Sequence, residues 1–490
     1  MNHLDVALAA HAHCEGRALR TSKYRHNRLQ PKPIAIILYQ LGAEPFAAAA
    51  IGWGDRQDRL NFQVAGEPRN RDLAFSLLLD FAKWFNARFE APALERETVE
   101  RGDYKYTRAL SAPQVLVANS ATATMLDRLG RRLAYLPTTG PRPADESLVR
   151  LGRHLRFLAG NRLVPGQQLL VSLTDLLNDH WMTSQSDIER QSIAALDAFI
   201  EPPHGMHGFH AAEAVEDNSV GPVPGSDDDE RLEPLVERFN ERRAGQTDLA
   251  AVRPLLGPIE NHYRPMVHYA WDLLWRCRNR ESKVLEAASV ERRWTVDREA
   301  YTQHIDWTSR NGNRRTRQTP RQAAMTLRRL EEAQKLLEAE TACDDPIRMI
   351  PYLLQHKAVC GKVIAVDREH RELATKRMVS RPLLTLQAPD PCIMPPGKEL
   401  WWTAQPDGRE FVVHSIHNAP SRAVVTLKLM TSSSAADLPS IGSSACFSVH
   451  NTHPSPPMIL PAHEPWTHRQ SRVSGLDSIE TPEESNGNQK

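Results

Sequence analysis

The segments PIAIILYQ (33–40), FAAAAIGWG (46–54) and RLNFQVAG (59–66) decide the fold of the first half of this chain. Each is short, rich in β-branched or small apolar residues and bounded by turn residues, as strands are. Leu60, Phe62 and Val64 alternate with polar neighbours, which predicts a half-buried third strand. Asn70 or Asp72 is placed to cap a helix over 72–89, and PQVLVAN (113–119) predicts a further strand feeding the helix ATATMLDRLGRRL. Three strands, a helix, a strand and a helix is the element order of an RNase H-like domain. The chemistry of such nucleases does not follow. They hold two metal ions on carboxylates, whereas the first strand here has no Asp or Glu and the fourth offers only Asn119.

Working outward, residues 1–30 are polar, basic and aperiodic and are expected to form a mobile arm before an α/β domain over 31–140. Residues 141–201 read as three helices. Asp145 precedes the first, Gly166 opens QQLLVSLTDLLNDHW, and Ser184 or Ser186 begins DIERQSIAALDAFI. The Gly- and Pro-rich stretch 202–230 is expected to be a linker, and 231–345 a helical domain containing a basic loop and a stalk helix. Thr319-Pro320 is a cap-and-first-turn pair for that stalk. Over 346–430, VCGKVIAVD, VSRPLLTLQ, KELWWT, EFVVHSI and RAVVTLKLM predict a five-strand SH3- or OB-like barrel. Residues 431–490, rich in Ser, Pro and His, are expected to be largely disordered. The fold class is thus multidomain α+β.

The formal net charge of +1 on 490 residues excludes a general polyanion-coating protein, so electrostatic binding must be local. It is concentrated at Arg310, Arg314, Arg315, Arg317, Arg321, Arg328 and Arg329, with no acid between them. Such a cluster can neutralise several phosphates and release their counterions. Trp307, just upstream, can stack a base. Lys398 with Trp401 or Trp402 on the barrel is a candidate second contact, adjacent strand residues facing opposite ways. Alternatively the arginines serve a solvated loop or meet acidic surface such as Asp227–Glu230, and the tryptophans pack inward.

No phosphate loop, HExxH helix, GxSxG elbow or metal-carboxylate set is found, and no cofactor is expected. His204, His207 and His210 lack nearby carboxylate or thiol ligands and read as incidental to a loop. The six cysteines are far apart without a CxxC pair and are expected to be free thiols. The N-terminus has an acid where a signal peptide is basic, and no window approaches the ~20 apolar residues of a membrane span; a cytoplasmic location is expected.

Two resemblances arise. The helix RRLEEAQKLLEAE feeding a barrel with a GKVIAVD opening and an RPLLTL strand resembles the stalk-and-barrel accessory region of superfamily 1 helicases that move 5′ to 3′. It covers residues 320–430 and implies work on nucleic acid beside a motor, since this chain has no motor of its own. AALDAFIEPPHGMHGFHAAEA, MIPYLLQHK and PWTH are similar to a family of standalone bacterial proteins of about this length, which implies no activity. The expected role is a non-catalytic nucleic-acid-binding or assembly subunit beside a motor or effector. The alternative is an interaction scaffold whose basic loop meets an acidic partner; a third is an enzyme of unidentified class.

Overall fold

The computed structural model describes residues 3–42, 47–246, 248–312, 318–374, 377–406, 408–430, 438–453 and 456. The chain opens with helix α1 (His3–Glu15) and a short strand β1 (Leu19–Arg20). A sheet then begins with β2 (Ile34–Gln40), β3 (Ala48–Gly54) and the edge strand β4 (Asn61–Val64). Helix α2 (Arg71–Glu90) follows, then a hairpin of β5 (Arg96–Arg101) and β6 (Tyr104–Ala109). Next come β7 (Val115–Val117), α3 (Ser120–Leu133), α4 (Glu146–Arg162), β8 (Leu170–Ser172) and α5 (Leu173–His180). Strand β9 (Trp181–Met182) pairs back with β1, and α6 (Ile193–Ile200) closes this half.

The main sheet runs β4-β3-β2-β7-β8. Strands β2, β3 and β4 are antiparallel neighbours, while β7 and β8 run parallel to β2, with Ile36 opposite Val117 and Val117 opposite Ser172. Every residue of β2 and β3 is buried, as expected of a sheet covered on both faces. The period of two sorts β2 between the layers. Ile34, Ile36 and Leu38 join a core with α2, α3 and α4, while Ala35, Ile37 and Tyr39 join one with α5 and α6. On α2, Phe81, Phe85 and Phe89 fall one turn apart and their rings pack at 5.5 and 5.3 Å.

Beyond α6 lie α7 (Gly208–Glu213), α8 (Ser226–Arg243), α9 (Leu249–Val252), α10 (Gly257–Ser282), α11 (Val290–Ser309), α12 (Pro320–Asp344) and α13 (Pro346–Leu354). Helix α10 lays Tyr263, Val267, Ala270, Trp271 and Leu274 into one sheet layer, and α11 lays Trp294 and Tyr301 into the other. Residues on both sides of positions 140, 201 and 230 therefore share the same two cores. Nor are residues 141–201 wholly helical. Leu170–Ser172 is a sheet strand, and Ser172 caps α5 by accepting from the Asp175 N–H. An apolar run buried on both faces has no alternation to distinguish it from a helix turn. The third helix starts later than Ser184 or Ser186, at Ile193 behind Ser192.

The first thirty residues are no loose arm from His3 onward. Ser22, Arg25 and His26 are buried; Arg25 pairs with Glu286, and the segment's other anchor is Asp345. Its carboxylate accepts from Ser22 Oγ at 2.8 Å and from the N–H groups of Lys23 and Tyr24 at 2.6 and 3.0 Å, and also caps α13. Val220 in the expected linker reaches the core.

The barrel is closed and antiparallel. Around it run β10 (Ala358–Asp367), β13 (Leu383–Ala388), β16 (Arg422–Leu429), β15 (Glu410–Ala419), β14 (Glu399–Trp402) and β17 (Ser444–Ser448), with β11 (Arg371–Ala374) and β12 (Arg377–Ser380) as a separate hairpin. Six strands stand where five were expected. The sixth lies in the region expected to be disordered, where Phe447 fills the barrel core beside Phe411. The expectation of free thiols also fails for one pair. Cys360 and Cys446 lie directly opposite on β10 and β17 and form a disulfide. The tail beyond 456 lies outside the described residues. No helix among the described residues is long and apolar enough to cross a membrane.

Candidate functional site

Where α3, α4, the end of α11 and the first half of α12 meet, they enclose a groove of about 1230 Å³. Arg131, Arg156, Arg162 and Arg329 line it, with Asp127 as the one carboxylate in its wall among the described residues. Trp307 lines it too and is 41% exposed.

Local structure positions each of these side chains. Arg131 sits in the last turn of α3, where a cation suits the helix dipole, and pairs with Asp127 one turn earlier at 3.0 Å. Arg156, on α4, lies over the Tyr135 ring at 5.0 Å and donates to its hydroxyl. Burial lowers the Arg156 pKa from its ordinary value, and the nearby Arg131 guanidinium lowers it further. That second cause is like-charge crowding, which an anion in the groove would relieve. Arg162 ends α4 and donates to Ser120 Oγ at 2.7 Å, while Ser120 donates to Asp175. Trp307 is held by the chain that follows it. The Gly312 N–H donates to the Trp307 carbonyl at 3.0 Å, and a Cβ on Gly312 would fall 2.4 Å from the indole nitrogen. Only glycine lets the backbone lie against that ring.

Of the residues expected to bind, the structure brings Trp307 and Arg329 together. Arg310 is the exposed C-cap of α11, and Arg321 is exposed in the first turn of α12; neither lines the groove. Arg328 is ion-paired with Glu332 at 2.7 Å. Arg314, Arg315 and Arg317 lie outside the described residues. Thr319 and Gln322 form the expected capping box at the start of α12. No residue of Asp227–Glu230 lines the groove; Asp229 accepts instead from the Gly42 N–H.

The barrel contact is arranged differently from the expectation. Trp401 and Trp402 are both half-buried, and Trp402 packs against the barrel core. Trp402 lines a second groove with Lys362 and Arg422. Lys398 is exposed in the preceding turn and is not part of that wall. Sequence reading missed Arg131, Arg156, Arg162, Lys362 and Arg422. Arg150, Arg153 and Arg156 at intervals of three on α4 were the available signal for a charged helix face.

His207 has a structural role: its ring caps α7 by accepting from the Phe209 N–H and donates to the His13 carbonyl. His204 and His210 are exposed. No group of His, Cys, Asp and Glu able to hold a metal is found among the described residues.

The chain matches no protein-family model, no curated protein and no solved structure.

Proposed function

We propose that this chain is a non-catalytic nucleic-acid-binding subunit that works beside a separate motor or effector, and that its large groove grips a phosphate backbone. The observation that carries this reading is convergence. Arginines from α3, α4 and α12 meet an exposed tryptophan from α11 in one groove with a single carboxylate in its wall among the described residues. Guanidinium forks suit phosphate oxygens, and an accessible indole suits a base.

The sheet supports the RNase H-like order expected from sequence. Counted along the chain its strands lie three-two-one-four-five, with the fourth and fifth parallel to the first. At the end of the fourth strand, Asn119 works as an amide. Its oxygen accepts from the Thr122 N–H at 2.8 Å and its nitrogen donates to the Gly221 carbonyl at 2.6 Å. A carboxylate could not make the second bond, so this position serves the fold and supports a non-catalytic role.

The test is fluorescence anisotropy of labelled oligonucleotides with the full chain and with Arg131→Ala/Arg329→Ala. Neutralising about four phosphates on a single strand gives a log–log salt slope near −2.8, so binding should weaken about 50-fold between about 50 and 200 mM salt. The double variant should bind more weakly, with a slope shallower by about 1.4. No binding at the lower salt would overturn the reading. So would displacement of the oligonucleotide by an acidic peptide at equal charge concentration, which would favour a protein partner.

A further inference from the structure

The groove on the barrel is built differently from the large one. It measures about 890 Å³, and its floor is made of small or flat groups: Gly361, Ala388, Ala445 and the Cys360–Cys446 disulfide. The floor is tight at Gly361, where an added Cβ would stand 2.5 Å from the Gln387 carbonyl oxygen. Trp402 forms part of the wall, and the chain beyond it is fixed. The Thr403 N–H and hydroxyl both donate to the Cys446 carbonyl, at 3.0 and 3.1 Å, and the Gln405 N–H donates to the Trp402 carbonyl. Among the described residues, Lys362 and Arg422 are the charged ones of the lining, both exposed, and no carboxylate joins them.

We propose that this barrel groove is a second, separate nucleic-acid site, which takes an unpaired base against Trp402 and the flanking phosphates on Lys362 and Arg422. The inference rests on the nucleic-acid reading above. An apolar slot of small residues beside an indole fits the face of a planar ring, and cations at its rim fit the phosphates either side of that ring. A duplex keeps its base faces stacked inside the helix, so only a single strand can use the slot. An acidic peptide would satisfy the two cations, but without an aromatic side chain it has nothing planar and apolar to place on the floor.

The experiment measures anisotropy of labelled oligodeoxythymidylate of about 30 nucleotides, and of a duplex of the same length, across a salt series. The proteins are the full chain, Trp402→Leu, and Lys362→Ala/Arg422→Ala. Trp402→Leu should weaken single-strand binding about five-fold or more, the contribution of one stacked base, with an unchanged salt slope. Lys362→Ala/Arg422→Ala should make the slope shallower by about 1.4, two single-strand phosphates. Neither variant should change duplex binding. If the native chain binds no oligonucleotide, the functional reading itself fails. If it binds, and both barrel variants match it in affinity and slope, the large groove stands and the barrel site falls. Equal losses on duplex would overturn the unpaired-base assignment. Should Trp402→Leu lower the melting temperature of the barrel, the exposed Lys362→Ala/Arg422→Ala pair decides alone.

Discussion

Replacing Asp345 with alanine should free the segment Ser22–His26 while leaving most of the sheet core intact. The wild-type carboxylate is fully buried and accepts four hydrogen bonds: Ser22 Oγ at 2.8 Å, Lys23 N at 2.6 Å, Tyr24 N at 3.0 Å and Ile347 N at 2.8 Å. His26 Nε2 lies 3.4 Å away. Burial alone would raise its pKa, but the neighbouring His26 ring and the hydrogen bonds from Tyr24 and Ser22 outweigh it and hold the carboxyl far below the usual range. Hydrogen bonds to a charged group contribute roughly 1.5–3 kcal/mol each and are not additive, so losing this set should cost about 3–5 kcal/mol locally. Read by native-state hydrogen exchange at the Lys23 and Tyr24 amides, about 3 kcal/mol is a loss of protection of about 150-fold. Because the folded pKa is depressed, the stabilisation is complete above the unfolded value near 3.9 and is lost as pH falls toward the folded one. Wild-type protection, corrected for intrinsic exchange, should therefore show no loss from titration of Asp345 itself between about pH 7 and about pH 4.5. Amides of Lys23 and Tyr24 that exchange in Asp345→Ala within about five-fold of wild type, under 1 kcal/mol, would refute the staple.

Other expected outcomes concern the core and the barrel. His180 is fully buried and its pKa is pushed down to about 3, first by burial and then by His26 and Arg348; its Nε2 accepts from the His26 N–H. The unfolded chain therefore binds the proton first, so this group's contribution to denaturant stability should fall by up to about 1.4 kcal/mol per pH unit below about 6.5, read as the pH-dependent difference between wild type and His180→Asn. Asn119→Asp deletes the donor to the Gly221 carbonyl and faces a carboxylate to it, so urea unfolding should show a loss of about 1–3 kcal/mol; an unchanged midpoint would contradict the amide's role. Gly361→Ala forces strands β10 and β13 apart at the Gln387 carbonyl and should destabilise the barrel by about 1–3 kcal/mol, measured as a lower melting temperature of its β signal.

What was legible in the sequence is what periodicity and punctuation encode. Ile34–Gln40, the Asn70 and Asp145 caps, the Thr319-Pro320 start and the barrel strands through Leu429 all carry local signals. Strand β8 carries none, because three residues buried on both faces look like part of the helix that follows. Strand β17 is hidden by composition: Ser444, Ala445, Cys446 and Ser448 read as low-complexity sequence, and only pairing with β10 makes them a strand. The arm between Thr21 and His26 looked mobile because its buried groups are polar and satisfied by a carboxylate over 300 positions away. The large groove was half-visible. Trp307 and Arg329 stand within the basic run, but Arg131 and Arg162 end their helices and read as ordinary complements to the dipole. Their meeting depends on how α3 and α4 pack.

A chain with 61 basic and 60 acidic residues can still present a positive groove, because the fold pairs opposite charges in some places and gathers like ones in others. Away from the groove, carboxylates and arginines cancel in buried pairs. Asp197 is buried against Arg276 and Arg280, Glu281 against Arg20 and Arg280, and Glu340 against Arg292 and Arg293. Several of these pairs sit at one end of α12. Glu340 bonds the α11 arginines, Asp344 accepts from the Ser289 N–H at 2.8 Å, and Asp345 takes the arm. The other end of α12 leaves Arg321, Met325 and Leu327 exposed, and Arg329 stands about 16 Å along the helix from Glu340. One wall of the groove is thus a helix held by acids at its C-terminal end, while its N-terminal half carries the arginine that lines the groove with Arg131, Arg156 and Arg162. Net charge averages over both ends, which is why it conceals the groove: what matters for an anionic ligand is which arginines the fold gathers in one place.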